Sequence, residues 1–257
     1  MGLFDNMREP VFLKENSSAK EQIPVLTAML KIAPREIKAQ MEQDIKFLSA
    51  GLRAEDQVAL ELKNSRIPMF VFRDLYLSDG SLDARMDFLV ITRGRNFVLE
   101  CRDLFGDIEM NSAGDFIRMT SFDGHYVKKS ISSPILSGRR NLELIRRIRR
   151  ENRRNLLSAL LFDKNFHDNY RSAAVLADPL TNFSAQYTKK EITNQVIRAG
   201  QLAEYINKVN AEPVTAGREK NAEQLAYSFL ALQQETPKNY TEKYRLMFEA
   251  YRERCPE

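Results

Sequence analysis

Apolar and polar positions follow two different rhythms along this chain. Over residues 19–30 apolar residues recur at helical spacing, with Ile23, Leu26, Met29 and Leu30 on one side. Pro24 falls inside that stretch; proline lacks an N–H and crowds the preceding turn, so the helix is expected to begin there. The preceding residues 1–18 read as extended or loose. Pro34 fits the start of a second helix through Ile37, Met41, Ile45 and Leu48. Gly51 interrupts it, and a third helix through Glu55, Val58, Leu60 and Leu62 stops before Pro68. The rhythm then shortens. Residues 69–77 alternate as a strand, with Phe70, Phe72, Leu75 and Leu77 apolar, and Ser78-Asp79-Gly80-Ser81 has turn composition. Residues 88–91 and 97–99 are short continuous apolar runs, the pattern of strands buried on both faces, joined by Arg93-Gly94-Arg95-Asn96. Shorter strands are expected at 107–110 and 116–120.

Pro134 opens a long helix to about residue 151, with helical pattern continuing toward Leu161. Residues 173–177 read as a buried strand ended by Asp178-Pro179. Residues 191–209 read as helix, and residues 219–253 as one or two more. The sum is an α/β domain with a helical preface and a helical tail, divided as 1–47, 48–210 and 211–257.

Composition adds constraints. The 257 residues are 43% hydrophobic and 29% charged, which is ordinary for a globular protein. No apolar run reaches the roughly 18–20 residues a membrane helix needs, so no membrane contact is expected. Met1 to Pro10 lacks the basic and apolar regions of a signal peptide, and Asn6 breaks the myristoylation pattern that Gly2 begins. Cys101 and Cys255 do not make a disulfide framework. These features point to the cytoplasm. The net charge of +4 is mild, but its distribution is uneven: residues 139–154 hold eight arginines against Glu143 and Glu151. Such a helix face either meets phosphates or is simply solvated opposite Leu142, Ile145 and Ile148.

Three acids carry the candidate chemistry. Asp87 stands at the mouth of one buried strand and Glu100 at the exit of the next. A hairpin whose turn centres near Gly94 brings them to the same sheet edge. Two carboxylates that close repel unless one keeps its proton or a cation lies between them. Carboxylate oxygens suit Mg²⁺, and the Cys101 carbonyl offers a further oxygen. Arg102, two residues beyond Glu100, returns to the same face and can stabilise charge on a phosphate. Glu55, on the preceding helix, is placed to reach the site from above. Solvated acids and bases at strand ends are the plainer reading. His125 and His167 lack partners at metal spacing, and Cys101 reads as a packed thiol.

Gly51-Leu-Arg-Ala-Glu55, Arg85-Met-Asp87, Leu99-Glu100-Cys101-Arg102 with Gly106, Gly114-Asp115-Phe116, and Ser133-Pro134 before the arginine-rich helix occur in this order. In that order and spacing the chain resembles the nuclease-related domain family, a branch of the PD-(D/E)xK nuclease superfamily, over residues 48–155. Ala174 to Asp178-Pro179, followed by Ile197-Arg198 to Leu202, resembles the tail of family members. The resemblance implies a restriction-endonuclease-like core, a central mixed sheet flanked by helices, with helical N-terminal and C-terminal extensions. It places the acidic metal ligands on Asp87 and Glu100, beside the Cys101 carbonyl already named, the helix glutamate on Glu55 and the basic catalytic position on Arg102. It implies Mg²⁺-dependent (or Mn²⁺-dependent) cleavage of phosphodiester bonds in nucleic acid, DNA in the first instance. The candidate nucleic-acid contacts are Arg139, Arg140, Arg146, Arg147, Arg150 and Arg154.

Two positions depart from the family pattern. Arg102 stands where lysine is usual; arginine keeps its charge and binds phosphate well, but is too wide to approach water as lysine does. Ser137 stands where glutamine is usual and is the candidate accessory residue, with a shorter reach. The alternative to a working hydrolase is therefore a weak or inactive module that binds nucleic acid, or a protein partner through the terminal helices.

Overall fold

The computed structural model describes residues 3–122, 125–213, 221–237 and 239–254. Cys255 lies outside the described residues, as does the side chain of His125. In chain order the elements are α1 (Leu3–Asn6), β1 (Val11–Lys14), α2 (Ser18–Leu30), α3 (Arg35–Asn64), β2 (Met69–Ser78), β3 (Asp83–Thr92), β4 (Asn96–Arg102), β5 (Asp107–Met110), β6 (Phe116–Phe122) and β7 (His125–Ile131). Then follow α4 (Pro134–Glu151), α5 (Leu156–Asn169), β8 (Tyr170–Leu176), β9 (Asn182–Ser184), α6 (Lys190–Thr193), β10 (Val196–Arg198), a 3-10 turn, α7 (Leu202–Ala211), α8 (Ala222–Leu232) and α9 (Tyr240–Arg254).

Two sheets form. The larger runs β1-β2-β3-β4-β8-β10 and the smaller β7-β6-β5-β9. In the larger sheet β2, β3 and β4 are antiparallel neighbours, while β1 on β2, β8 on β4 and β10 on β8 are parallel. This is the mixed sheet expected of the sequence. One face packs Phe72, Leu89 and Val98 against Leu142 and Ile145 of α4, Phe166 of α5 and Phe229 of α8. The other packs Val71, Phe88, Val90 and Phe97 against Ala54, Val58 and Leu62 of α3 and Ile206 of α7. The smaller sheet lays Ile108, Met110 and Phe116 on Ile135, Ala174 and Leu176. A separate cluster joins Leu26, Ile37 and Met41 to Tyr244 and Phe248, so α2 and the first half of α3 pack on α9.

Four expectations change. Helix α2 begins at Ser18 and carries Pro24 inside it. Its start is fixed from outside, because the Ser18 N–H donates to Asp74 Oδ2 at 2.6 Å. The second and third helices are one, α3, running through Gly51, so the boundary expected at 47/48 lies inside a helix. A helical glycine costs about 1 kcal/mol relative to alanine. Packing at both ends outweighs it: the first half of α3 lies in the helical cluster and the second half on the sheet. The pattern toward Leu161 belongs to the separate helix α5, capped by Asn155. Residues 191–209 are not one helix; β10 interrupts them and pairs Ile197 with Val175. Strands β7 and β9 were not expected.

Strands β2 and β3 share a defect that shapes the site. Along β2 the residues facing α4 and α8 are Phe70, Phe72, Leu75 and Leu77; along β3 they are Ala84, Met86, Leu89 and Ile91. Strict alternation allows steps of two only. Each strand takes one step of three, at the same level, since Arg73 pairs with Phe88 and Leu75 with Met86. Between those pairs lie Asp74 and Asp87. Asp74 has φ +53°, a left-handed conformation that aspartate tolerates better than most residues. Lys14 holds the twist by donating to the carbonyls of Arg73 (2.9 Å) and Asp74 (2.6 Å).

At the other end of β3, Thr92 Oγ1 accepts from the N–H groups of Gly94 (3.1 Å) and Arg95 (3.0 Å), setting the turn near Gly94. Arg95 is fully buried and donates to backbone carbonyls of Asp168 (2.8 Å), Val209, Glu212 (3.3 Å) and Pro213 (3.2 Å). It ties the hairpin to α5 and α7. Arg95→Met leaves those buried acceptors without a donor and is expected to cost about 3 kcal/mol. Urea unfolding should show a lower midpoint with an unchanged slope.

Candidate active site at the β3–β4 edge

Strands β3 and β4 stay paired through Phe88 and Leu99 and then part. Where the ladder ends, the Cys101 N–H donates to Asp87 Oδ2 at 2.8 Å instead of to a strand carbonyl. The Asp87 carboxylate thus replaces a missing ladder acceptor. Glu100, 3% exposed, lies beside it and accepts from Asn141 Nδ2 at 2.6 Å through Oε1. The turn near Gly94 therefore brings the two acids together as the hairpin argument requires.

Arg102 joins them. Its Nη1 donates to the Cys101 carbonyl at 2.7 Å and to Asp87 Oδ2 at 3.3 Å. Its Nη2 lies 3.7 Å from Glu100 Oε2. Burial pushes the Glu100 carboxyl well above its ordinary range, and the neighbouring Asp87 charge pushes the same way. Burial also raises the Cys101 thiol, so it is the carbonyl of this residue, not its sulfur, that is chemically available.

Glu55, also 3% exposed, accepts from Arg73 Nε at 3.0 Å and Arg85 Nη2 at 2.9 Å. Arg73 reaches Asp56 at 2.7 Å as well. Arg85 also binds Asp74 and has Nη1 4.0 Å from Asp87 Oδ1. Glu55 therefore reaches the acid pair through Arg85. Burial raises the Glu55 carboxyl. Burial alone would also raise Asp74, but Arg85 and the Ser18 N–H outweigh it and hold that carboxyl below its ordinary value.

Asn141, Arg85, Arg73 and Asp74 carry the arrangement, and the sequence reading gave none of them a role. Two left a trace. Asn141 is a polar residue next to the apolar stripe of α4, and Arg85 stands two residues from Asp87 as Arg102 does from Glu100. Gly138 lets α4 approach: a Cβ there would lie 2.9 Å from Ser172 Cβ and 3.7 Å from Glu100 Cγ. Ser137 turns its hydroxyl back onto the Ser133 carbonyl at 3.3 Å, one helical turn before Asn141, which makes the contact to Glu100.

The arginines of residues 139–154, on α4 and in the connection after it, divide. Arg146 and Arg150 each lie 2.9 Å from Asp163 of α5, and Arg147 lies 3.0 Å from Asp79 in the β2–β3 turn. These three tie α4 to its neighbours. Arg139, Arg140 and Arg154 are exposed.

The donor set of the site is two carboxylates and a carbonyl, all hard oxygens gathered around one guanidinium, and this chemistry fits a divalent cation such as Mg²⁺. No group of three or more His, Cys, Asp or Glu side chains with metal-holding geometry occurs among the described residues. Ionising Glu100 in this buried place opposes folding, because burial favours the neutral form. Glu100→Gln keeps the shape and removes the charge, so the variant is expected to unfold at a higher temperature than the parent at neutral pH; a lower one would show the charge is fully compensated.

Among the described residues no helix is long and apolar enough to cross a membrane. No curated protein and no solved structure matches the chain. Residues 50–177, from the second half of α3 to the end of β8, match the family model of the nuclease-related domain. That span contains Glu55, Asp87, Glu100, Arg102 and α4. The mixed sheet flanked by helices is the restriction-endonuclease-like core of the PD-(D/E)xK superfamily, and the chain belongs to the nuclease-related domain family.

Proposed function

We propose that this protein is a divalent-metal-dependent nuclease that hydrolyses phosphodiester bonds in DNA, with its site at Asp87, Glu100 and the Cys101 carbonyl. One observation carries the reading: these three oxygens all converge on a single cationic point, marked by the Arg102 guanidinium. A divalent cation held by that set supplies a water of lowered pKa and neutralises charge on the phosphate.

The chain's own residues do the rest. Asn141 fixes Glu100 by donating to Oε1, which leaves Oε2 facing the cation position. The Cys101 N–H fixes Asp87. Arg85, held by Glu55 and Asp74, keeps a positive charge beside Asp87 and suits a phosphate oxygen. Arg139, Arg140 and Arg154 grip the backbone through contacts blind to sequence. A second reading, a module that binds nucleic acid without cutting it, is favoured by one specific feature: Arg102 already hydrogen-bonds two of the three oxygens and pairs with the third.

Incubating the full chain with plasmid and linear DNA, in Mg²⁺, in Mn²⁺ and in chelator, separates the two. Cutting that needs metal and falls at least about 100-fold in Asp87→Asn and Glu100→Gln supports the nuclease. Asn141→Ala, which loosens Glu100 without touching substrate, should fall about 10–100-fold and bind metal more weakly in titration calorimetry. Binding with a steep salt dependence and no cutting under any condition establishes the module instead.

The two arginine sets in residues 139–154 should behave differently. Replacing Arg139, Arg140 and Arg154 by glutamine is expected to weaken DNA binding and lower its salt slope by about 3, with melting temperature unchanged. Replacing Arg146, Arg147 and Arg150 should lower the melting temperature as well, since it removes the ties to Asp163 and Asp79. Filter binding at several salt concentrations and thermal denaturation read out both.

A further inference from the structure

The oxygens available at the acid pair are few. Asp87 Oδ2 accepts from the Cys101 N–H, Asp87 Oδ1 faces Arg85, and Glu100 Oε1 is taken by Asn141. What remains toward the cation position is the second lone pair of Asp87 Oδ2, Glu100 Oε2 and the Cys101 carbonyl. Arg102 faces all three. The same electron pairs cannot serve a guanidinium and a metal ion at once. Arg102 is also not locked in: its side chain is 26% exposed, and its partners are the three oxygens themselves, two hydrogen-bonded and Glu100 Oε2 ion-paired at 3.7 Å. Arg73, by contrast, is 7% exposed between Glu55 and Asp56.

We propose that Arg102 is a displaceable internal cation, a placeholder that competes with the divalent metal for Asp87, Glu100 and the Cys101 carbonyl and is drawn off by a substrate phosphate. The inference rests on the metal-dependent reading above. Arginine suits both positions. Its planar fork spans several oxygens at once, and a phosphate offers the same bidentate geometry in exchange. A lysine has one compact charge and cannot span the three acceptors together. Loading of metal and of nucleic acid is then coupled, each raising the affinity of the other by the same factor. The free protein keeps its acids neutralised without metal, and the metal site forms where a phosphate is present to receive the guanidinium.

The test is titration calorimetry of Mn²⁺ into the full chain, after thermal melting has confirmed that each variant is folded. The proteins are the parent, Arg102→Met and Arg102→Lys, with a fourth arm in which the parent carries a phosphorothioate DNA duplex that resists cleavage. The expected result is Mn²⁺ affinity about tenfold higher in Arg102→Met and in the duplex-loaded parent, with a gain in Arg102→Lys too, although its charge is unchanged. A gain confined to Arg102→Met reduces Arg102 to a nearby charge and overturns the placeholder. Equal affinity in all four arms overturns it while leaving the metal-dependent reading in place. Uptake of Mn²⁺ by none of them overturns both. If Arg102→Met does not fold, Arg102→Lys and the duplex arm decide alone.

Discussion

The structure depends on one alternation of charge. From α3 across β2 and β3 to β4 runs a chain of contacts: Asp56 to Arg73, Arg73 to Glu55, Glu55 to Arg85, Arg85 to Asp74 and toward Asp87, Asp87 to Arg102, Arg102 to Glu100. Most of these groups are buried. An isolated carboxylate in such a place costs several kcal/mol, and removing one partner of a buried pair typically costs about 3–5 kcal/mol. The pairs around Glu55, Asp74 and Arg73 are therefore mutually required, whereas burial opposes the charge on Glu100 at the end of the chain. Arg73 is buried between Glu55 and Asp56, while Arg85 and Arg102 cover the buried acids from the part-exposed side. Asp87 and Glu100 sit at the edge of an apolar sheet because the rest of the chain supplies them with partners there, the Cys101 N–H for one and Asn141 for the other.

A regular hairpin would not bring these groups together. Strict alternation along β2 and β3 would keep successive polar residues on fixed faces, some of them against α4. The shared step of three at Asp74 and Asp87 reverses the faces at one level. The apolar residues on both sides of it still point at α4 and α8, while the residues at the step meet α3 and β4. The elements outside residues 50–177 serve this step. Lys14 of β1 binds its carbonyls, and the first N–H of α2 binds Asp74. Helix α9, with α2, steadies the half of α3 that precedes Glu55. The extensions are thus part of the site's support.

Much of this was legible in the sequence, for reasons that differ by residue. The buried strands announced themselves as apolar runs, and the Gly94 turn fixed the register that sets Asp87 beside Glu100. The step of three was written in the spacing of Phe72 and Leu75, yet a tolerance for imperfect alternation conceals it. Pro24 and Gly51 misled because local propensity of about 1–3 kcal/mol yields to packing and to an anchor from a distant strand. The eight arginines of residues 139–154 showed their charge but not their partners: Asp163 and Asp79 are assigned to Arg146, Arg150 and Arg147 only by the fold. Long-range ion pairs leave no periodic mark. Asn141 was hidden the same way, since its meaning depends on Glu100 being one sheet away.

The family position filled by Arg102 makes the last step clear. A fold that gathers two acids at a strand edge must neutralise them, and two cations are suited to the work. A metal ion binds tightly but must be supplied, and its affinity depends on the acids being free and ionised. A guanidinium is always present, always charged and already attached. On the reading proposed above, a lysine there would satisfy the acids less completely and leave more of that work to the metal. Arginine satisfies them in the folded protein itself, hydrogen-bonding Asp87 and the Cys101 carbonyl and pairing with Glu100. On that reading the position exchanges readiness to bind metal for stability of the metal-free fold. Turnover then requires a phosphate to reclaim the guanidinium, a contest between like partners: carboxylate oxygens on one side, phosphate oxygens on the other, with the same planar fork fitting both.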